Sequence, residues 1–206
     1  MALRDRWRTP AEKPESSPAP LERHAVALGA AMERLGHQGR ARLLDLGPAV
    51  GANLEVLRRV ARSVVVVDLA SSCGLGEGAP MSEPLRAARS VDDVLAAAPG
   101  AIDLVLAWDL LNYLSLEAFA ALAARLALAL APGAALHAFI ATGSMPARPG
   151  RWLIRSPDRL VFEPRSDAER PAPGWLPAVV ERTLTGFRVE RSVVLPGARE
   201  ILALRR

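Results

Sequence analysis

The 206 residues, half of them hydrophobic, suffice for one sizeable core and fall short of two ordinary catalytic domains. Charge or proline interrupts every apolar run before the roughly 18 to 20 residues of a membrane span, so a soluble protein is expected. The formal charge of +4 raises nucleic acid as a partner, but the arginines are dispersed among acids, Lys13 is the only lysine and aromatics make up 4%; a solvated arginine-rich surface is expected instead.

Cys73 is the only cysteine, which excludes an internal disulfide and a thiolate metal cluster and suits a reducing compartment. The opening MALRDRWRTP lacks the apolar stretch and cleavage site of a secretory signal, so a cytoplasmic location is expected. Residues 8–20, RTPAEKPESSPAP, offer no periodic apolar face, and 1–20 are read as a disordered tail ahead of a single domain at 21–206. Leu21, Ala25, Leu28, Met32 and Leu35 recur at spacings of four and three, predicting a helix that ends near Gly36 and Gly39.

Strands are predicted at Ala41–Leu46, Ser63–Asp68, Ile102–Trp108 and Ala134–Ala141, and their continuous apolar character is that of a parallel sheet buried on both faces. Helices are predicted between them, at Ala52–Ala61 and at Ser115–Ala131, where Leu116, Phe119, Ala123, Leu126 and Leu130 keep the three-four spacing up to Pro132-Gly133. LASSCGLGEGAPMSE, after Asp68, is too glycine-rich for a confident helix and places Cys73 in a flexible loop; Thr142 to Pro173 reads as a long Arg- and Pro-rich loop insertion. A helix over about Trp175–Leu184 precedes strands at Phe187–Leu195 and Glu200–Leu204, which the short turn at Pro196-Gly197 makes antiparallel. The expected class is α/β: a doubly wound, mostly parallel sheet with helices on both faces and a C-terminal antiparallel hairpin.

The segment LLDLGPAVGANLEVL, residues 43–57, sets an acid at the end of a strand, glycines at 47 and 51, and then a helix. Such a loop lets the backbone turn tightly and approach a ligand at the carboxyl ends of the strands. A dinucleotide fingerprint would need three glycines where Gly47, Ala49 and Ala52 stand, and Asp45 would face a pyrophosphate with like charge. No Gly-Lys-Ser/Thr follows to make a phosphate-cradling loop. A ligand bearing an ammonium and a sulfonium suits Asp45 better.

With Asp45-Leu-Gly47-Pro-Ala49-Val-Gly51, the chain resembles the class I S-adenosyl-L-methionine (SAM) methyltransferases, Rossmann-like enzymes whose first motif is an acid followed by spaced glycines; alanine replaces the middle glycine here. Asp68, ending SVVVVD, is similar to the family's ribose-binding acid, IDLVLAWDLLNYL (102–114) resembles its fourth strand, and GFRVERSVVLPGAREILALRR resembles its terminal hairpin. The resemblance covers roughly 40–141 and 174–206. It implies that Asp45, Gly47, Pro48, Ala49 and Gly51 border the cofactor SAM, that Asp68 takes both ribose hydroxyls, and that Trp108 and Asp109 border the methionine end. The family's third strand is compressed here; Pro84 to Ala88 is its expected place, and Val91 or Asp92 the expected adenine contact, with Ser90 and Asp93 suited to a helix cap.

Asp109 and Tyr113 are the catalytic candidates, and Asn112 and Tyr113 lie where the family presents residues to substrate. His137, inside the fifth strand, reads as a core residue, and no histidine, cysteine or carboxylate pattern marks a metal site. The resemblance implies direct methyl transfer to an O, N or C nucleophile of a small-molecule or protein acceptor, with alignment as the protein's main contribution. The insertion would cover the acceptor, and Arg148, Arg151, Arg155 and Arg159 would favour an anionic one. The rival reading, motivated by Ala49 and the compressed 69–90 region, is a catalytically inactive methyltransferase-like binding or scaffold protein with a protein partner.

Overall fold

The computed structural model describes residues 19–37, 39–75, 91–93, 96 and 101–206. The chain enters as β1 (Leu21–His24) and α1 (Val26–Gly36), then alternates β2 (Ala41–Asp45), α2 (Gly51–Leu57), β3 (Ala61–Val66), α3 (Leu69–Cys73) and β4 (Ile102–Trp108). A single 3-10 turn (Leu110–Tyr113) leads to α4 (Leu116–Ala129) and β5 (Leu130–Ala141), followed by β6 (Ser144–Pro146), β7 (Arg151–Ser156), β8 (Arg159–Glu163) and β9 (Glu169–Pro171). Then come α5 (Pro177–Thr183), β10 (Phe187–Leu195) and β11 (Ala198–Arg205).

The central sheet has the order β10-β11-β5-β4-β2-β3. β2 pairs in parallel with β3 and β4, β4 with β5, while β11 is antiparallel to both β5 and β10. This is the doubly wound, Rossmann-like sheet with a terminal hairpin that the sequence predicts. Its strand order reverses between β2 and β4, so the loops that follow these two strands meet at the switch point where such sheets take ligands.

Alternation along the strands sorts the side chains into two cores. Leu43, Leu104, Leu106, Phe139 and Leu202 pack on one face with Leu28, Met32 and Leu35 of α1 and Leu57 of α2. Leu44, Val105, Ile140 and Ile201 pack on the other with Leu69 of α3, Phe119 and Leu122 of α4 and Val180 of α5. Each such aliphatic side chain contributes about 1.5–3 kcal/mol on burial.

Three expectations are corrected. Leu21–His24 are not the first turn of a helix: they pair antiparallel with β8, Leu21 opposite Phe162 and His24 opposite Arg159, and α1 begins only at Val26. Strand pairing here overrides a helical spacing that Leu28, Met32 and Leu35 satisfy without Leu21, which stays exposed. The expected loop at 142–173 contains four strands: β7 and β8 form a small sheet with β1, in the order β1-β8-β7, and β6-β9 a two-stranded ribbon. Its driving pattern is alternation: Trp152 and Ile154 on β7 and Leu160 and Phe162 on β8 all turn into the α1-side core. Cys73 is not in a flexible loop but buried at the end of α3, a helix capped by the Asp68 side chain. Smaller shifts are local: α4 stops at Ala129 rather than Ala131 because Leu130 already pairs with Ile102 in the sheet. The expected strand at Pro84–Ala88 lies outside the described residues.

α1 has no local cap. Its N-cap position is Ala25, and the orphan amides of Ala27 and Leu28 instead donate to the Glu200 carboxylate of β11, at 3.1 and 3.0 Å. This carboxylate, brought from the far end of the chain, does the work of a capping Asp or Ser.

Candidate active site

Two loops meet at the switch point, and each carries a buried aspartate. Asp45, the last residue of β2, is 2% exposed, and its Oδ1 accepts from the Gly47 amide at 2.9 Å and from the Trp108 indole Nε1 at 2.6 Å. Its Oδ2 makes no hydrogen bond among the described residues. Burial pushes this carboxyl up to about 6, against the two hydrogen bonds that pull it down, and nearby Asp68 adds a push upward. Gly47 is required by space: a Cβ there would lie 2.8 Å from Trp108 Nε1 and 3.2 Å from Asp45 Oδ1. A Cβ on Gly51 would meet nothing within 4 Å, and Ala49, Gly51 and Ala52 are exposed, so the space over this loop is open. Ala49 keeps an ordinary negative φ, so replacing the usual glycine strains nothing.

Asp68, just past β3, accepts from the Ser71 amide at 3.0 Å and the Ser71 hydroxyl at 2.7 Å while capping α3. Only part of its capacity is used, since a carboxylate offers about four acceptor sites. The cradle therefore combines two neighbouring carboxylates, Asp45 buried and Asp68 half-buried, a donor set that fits a cationic ligand with paired hydroxyls.

Asp109 is the second buried aspartate. It follows β4, is 9% exposed, and its Oδ1 accepts from the Trp152 indole Nε1 at 2.9 Å. Burial pushes it up to about 6, against that hydrogen bond and the more distant Arg23. Asp109 lines a cavity whose walls include Arg23, Phe139, Trp152, Phe162 and Ala198. Arg23 Nη1 donates to the Pro196 carbonyl at 2.8 Å, and burial lowers its pKa while Asp109 opposes that shift.

Trp108 joins the two halves. Among non-glycine residues described, it alone has a positive φ, 51°, a strained conformation that clusters at functional sites. Its indole donates to Asp45 on the cradle side and stacks on Trp152 at 6.2 Å and 9° on the cavity side. Trp152 is held in turn by Asn53 of α2, whose amide donates to the Trp152 carbonyl at 2.8 Å and accepts from the Ile154 amide at 2.8 Å. Asn53 thus completes the edge of β7 as a neighbouring strand would. The helix after the glycine loop and the strand lining the cavity are one bonded unit.

Of the other residues read from sequence, Asn112 also lines this cavity, but its amide is spent on structure: it donates to the carbonyls of Asp109 and Phe139 and accepts from the Ala141 amide, tying the 3-10 turn to β5. Tyr113 is fully buried, donates to the Pro146 carbonyl at 3.0 Å and lies under the Arg170 guanidinium at 4.8 Å; burial raises its pKa well above the ordinary phenol value, so the phenol keeps its proton and offers no phenolate base. Val91 packs in the α4-side core, and Asp92 pairs with Arg125 of α4 at 2.7 Å. Pro48 is half-buried beside Gly47. Arg151 is exposed and paired with Glu163 at 2.6 Å, so the cation lining the cavity is Arg23 rather than Arg151.

Sequence reading missed Arg23, Asn53, Phe139, Trp152, Phe162 and Glu200. Phe139 and Trp152 stack at 4.6 Å and 16°, and Trp152 meets Phe162 at 4.9 Å. His137 is a core residue as expected, with its Nε2 3.0 Å from Glu200 Oε1. Burial works to raise the Glu200 carboxyl, but His137 and the α1 amides outweigh it and hold the group below its ordinary value.

The methyltransferase domain family matches residues 21–168. Among solved structures, a SAM-dependent methyltransferase from Clostridium acetobutylicum is 11% identical with a TM-score of 0.52, covering 88% of this chain and 92% of that one. A SAM-bound amino pentose methyltransferase from Micromonospora echinaspora, involved in calicheamicin biosynthesis, is 16% identical with a TM-score of 0.50, covering 88% and 91%. At these identities the structures share the fold. No curated protein matches the sequence. With the family's match spanning most of the chain and the sheet order that positions its first motif, the protein belongs to the methyltransferase domain family.

Proposed function

We propose that this protein is a SAM-dependent methyltransferase that holds SAM over the Asp45–Gly51 loop and methylates a small molecule seated in the Asp109 cavity. The observation that carries this reading is Trp108, one side chain that closes the floor of the cradle and stacks on the wall of the cavity. SAM supplies, when bound, a methyl group on a sulfonium that departs as a neutral thioether. Asp45 Oδ2 and Asp68 provide the negative charge and hydroxyl acceptors for it, and burial strengthens the attraction at Asp45. Asp109 orients the acceptor by taking its N–H or O–H as a hydrogen bond and holds the proton released, a role suited to a carboxyl raised toward neutrality. Alignment is the protein's main contribution, since in-line displacement depends on proximity and orientation. Among the described residues no helix is long and apolar enough to cross a membrane; a cytoplasmic setting, where SAM is made and cysteines stay reduced, suits the single Cys73.

Isothermal titration with SAM and with S-adenosylhomocysteine tests this reading. Saturable binding of both to the wild type, weakened at least tenfold in Asp68→Asn, is the expected result. Asparagine keeps the helix cap and loses one carboxylate oxygen. No binding by folded protein would instead favour the inactive, partner-binding form of the fold.

A further inference from the structure

Resting on that reading, the cavity also narrows the acceptor. Its room for the centres of water-sized atoms is ≈ 60 Å³, which corresponds to roughly four to six waters, the volume of a single six-membered ring. Phe139 and Trp152 stack on each other at 4.6 Å and 16°, and Phe162 closes against Trp152 at 50°, so one side of the cavity is a continuous aromatic wall, while Asn112 and Ser144 add polar lining elsewhere. A polyhydroxylated acceptor would leave the hydroxyls facing that wall unpaired.

Two charges of opposite sign face this space. Arg23 and Asp109 both line the cavity, yet no ion pair joins them among the described residues. Arg23 spends Nη1 on the Pro196 carbonyl, and its other N–H groups make no hydrogen bond among the described residues. They are available to a carboxylate, which guanidinium groups hold with paired hydrogen bonds. Asp109 spends Oδ1 on Trp152, which leaves Oδ2 to accept from a donor.

We infer that the acceptor is a single-ring aromatic acid bearing a hydroxyl, with its carboxylate on Arg23, its ring against Phe139 and Trp152, and its hydroxyl on Asp109. Arg23 is then a specificity determinant supplied by β1, the strand that sequence periodicity assigns to a helix, and Asp109 selects a hydrogen-bond donor over a second anion.

The test is calorimetric titration of the full chain with 3- and 4-hydroxybenzoate, phenol, benzoate and glucosamine, in the wild type, Arg23→Gln, Arg23→Lys and Arg151→Gln. Hydroxybenzoate is expected to bind at least tenfold tighter than phenol, benzoate or glucosamine. Arg23→Gln abolishes the advantage over phenol, Arg23→Lys retains part of it, and Arg151→Gln keeps it whole. Equal affinity for hydroxybenzoate and phenol, an advantage that survives Arg23→Gln in folded protein, or no binding of any ring would overturn the assignment. A parallel SAM titration separates the two failures. SAM binding without aryl-acid binding removes this acceptor alone, whereas aryl-acid binding that depends on Arg23 without SAM binding removes the methyltransferase reading.

Discussion

The cradle and the cavity contain the same arrangement twice: a buried aspartate at or just after the end of a parallel strand accepts an indole N–H, with its carboxyl raised to about 6. They differ in how the chain assembles them. The cradle's loop determinants, Asp45, Gly47 and Gly51, fall within seven consecutive residues, with Asp68 and Trp108 added from the ends of the two strands beside β2, whereas the cavity draws Arg23, Asp109, Phe139, Trp152, Phe162 and Ala198 from distant segments. A binding loop built on one strand end is a local property of sequence; a specificity pocket built between two sheets is a tertiary one.

Trp152→Ala separates the halves most strongly. It removes a buried indole and strips Asp109 of its donor, and an aromatic truncation in a core costs about 3–5 kcal/mol. Urea unfolding should show a loss of that size, with aryl-acid binding gone and SAM affinity kept within a few-fold, because the Asp45–Trp108 bond survives. If SAM affinity falls equally, the two halves are not separable.

Gly47→Ala makes the complementary break. Its Cβ must displace the Trp108 indole from 2.8 Å, an overpacking cost of about 1–3 kcal/mol. Calorimetry should find SAM binding weakened by about tenfold or more with aryl-acid binding largely retained. Asn53→Ala strikes the link between the halves. Losing its two bonds to β7 costs about 1–3 kcal/mol, and the acceptor's KM should rise more than SAM's Kd, since Trp152 loses its backbone anchor.

A pH series sharpens the similarity. Both aspartates have folded pKa values near 6 against an ordinary 3.8, so between these values the folded state binds more protons than the unfolded and each group's contribution to stability declines as pH rises. Asp45→Asn and Asp109→Asn should therefore gain over the wild type from pH 4 to about 6.5 and hold the gain above it. Up to about 3 kcal/mol each is the ceiling set by the shift. Denaturant midpoints across pH check this, and a difference that shrinks toward pH 7 would contradict the burial of the charged forms.

The central sheet was legible because its strands are short apolar runs separated by amphipathic helices, and the terminal hairpin because Pro196-Gly197 leaves no room for a crossover. The β1 strand was not, since Leu21–His24 acquire their conformation from β8, more than a hundred residues away. Prolines and arginines obscured the small sheet, although Trp152-x-Ile154 and Leu160-x-Phe162 flank Pro157-Asp158 as a hairpin would. Glu200 carried a signal too, a lone acid in the apolar run Ile201–Leu204 that follows it, but nothing local tells that it caps α1. Asn53 lay inside the glycine motif itself, where its partner on β7 could not be seen.

Nuclear magnetic resonance of the tryptophan indole N–H groups tests the central claim most directly. The chain has four tryptophans, each assignable by a Trp→Phe variant. Titration with SAM should move the Trp108 resonance saturably, the Trp152 resonance stacked on it should follow with the same midpoint, and Trp175 should stay in place. Saturable SAM binding that leaves Trp108 unmoved would contradict a single site joined through that side chain.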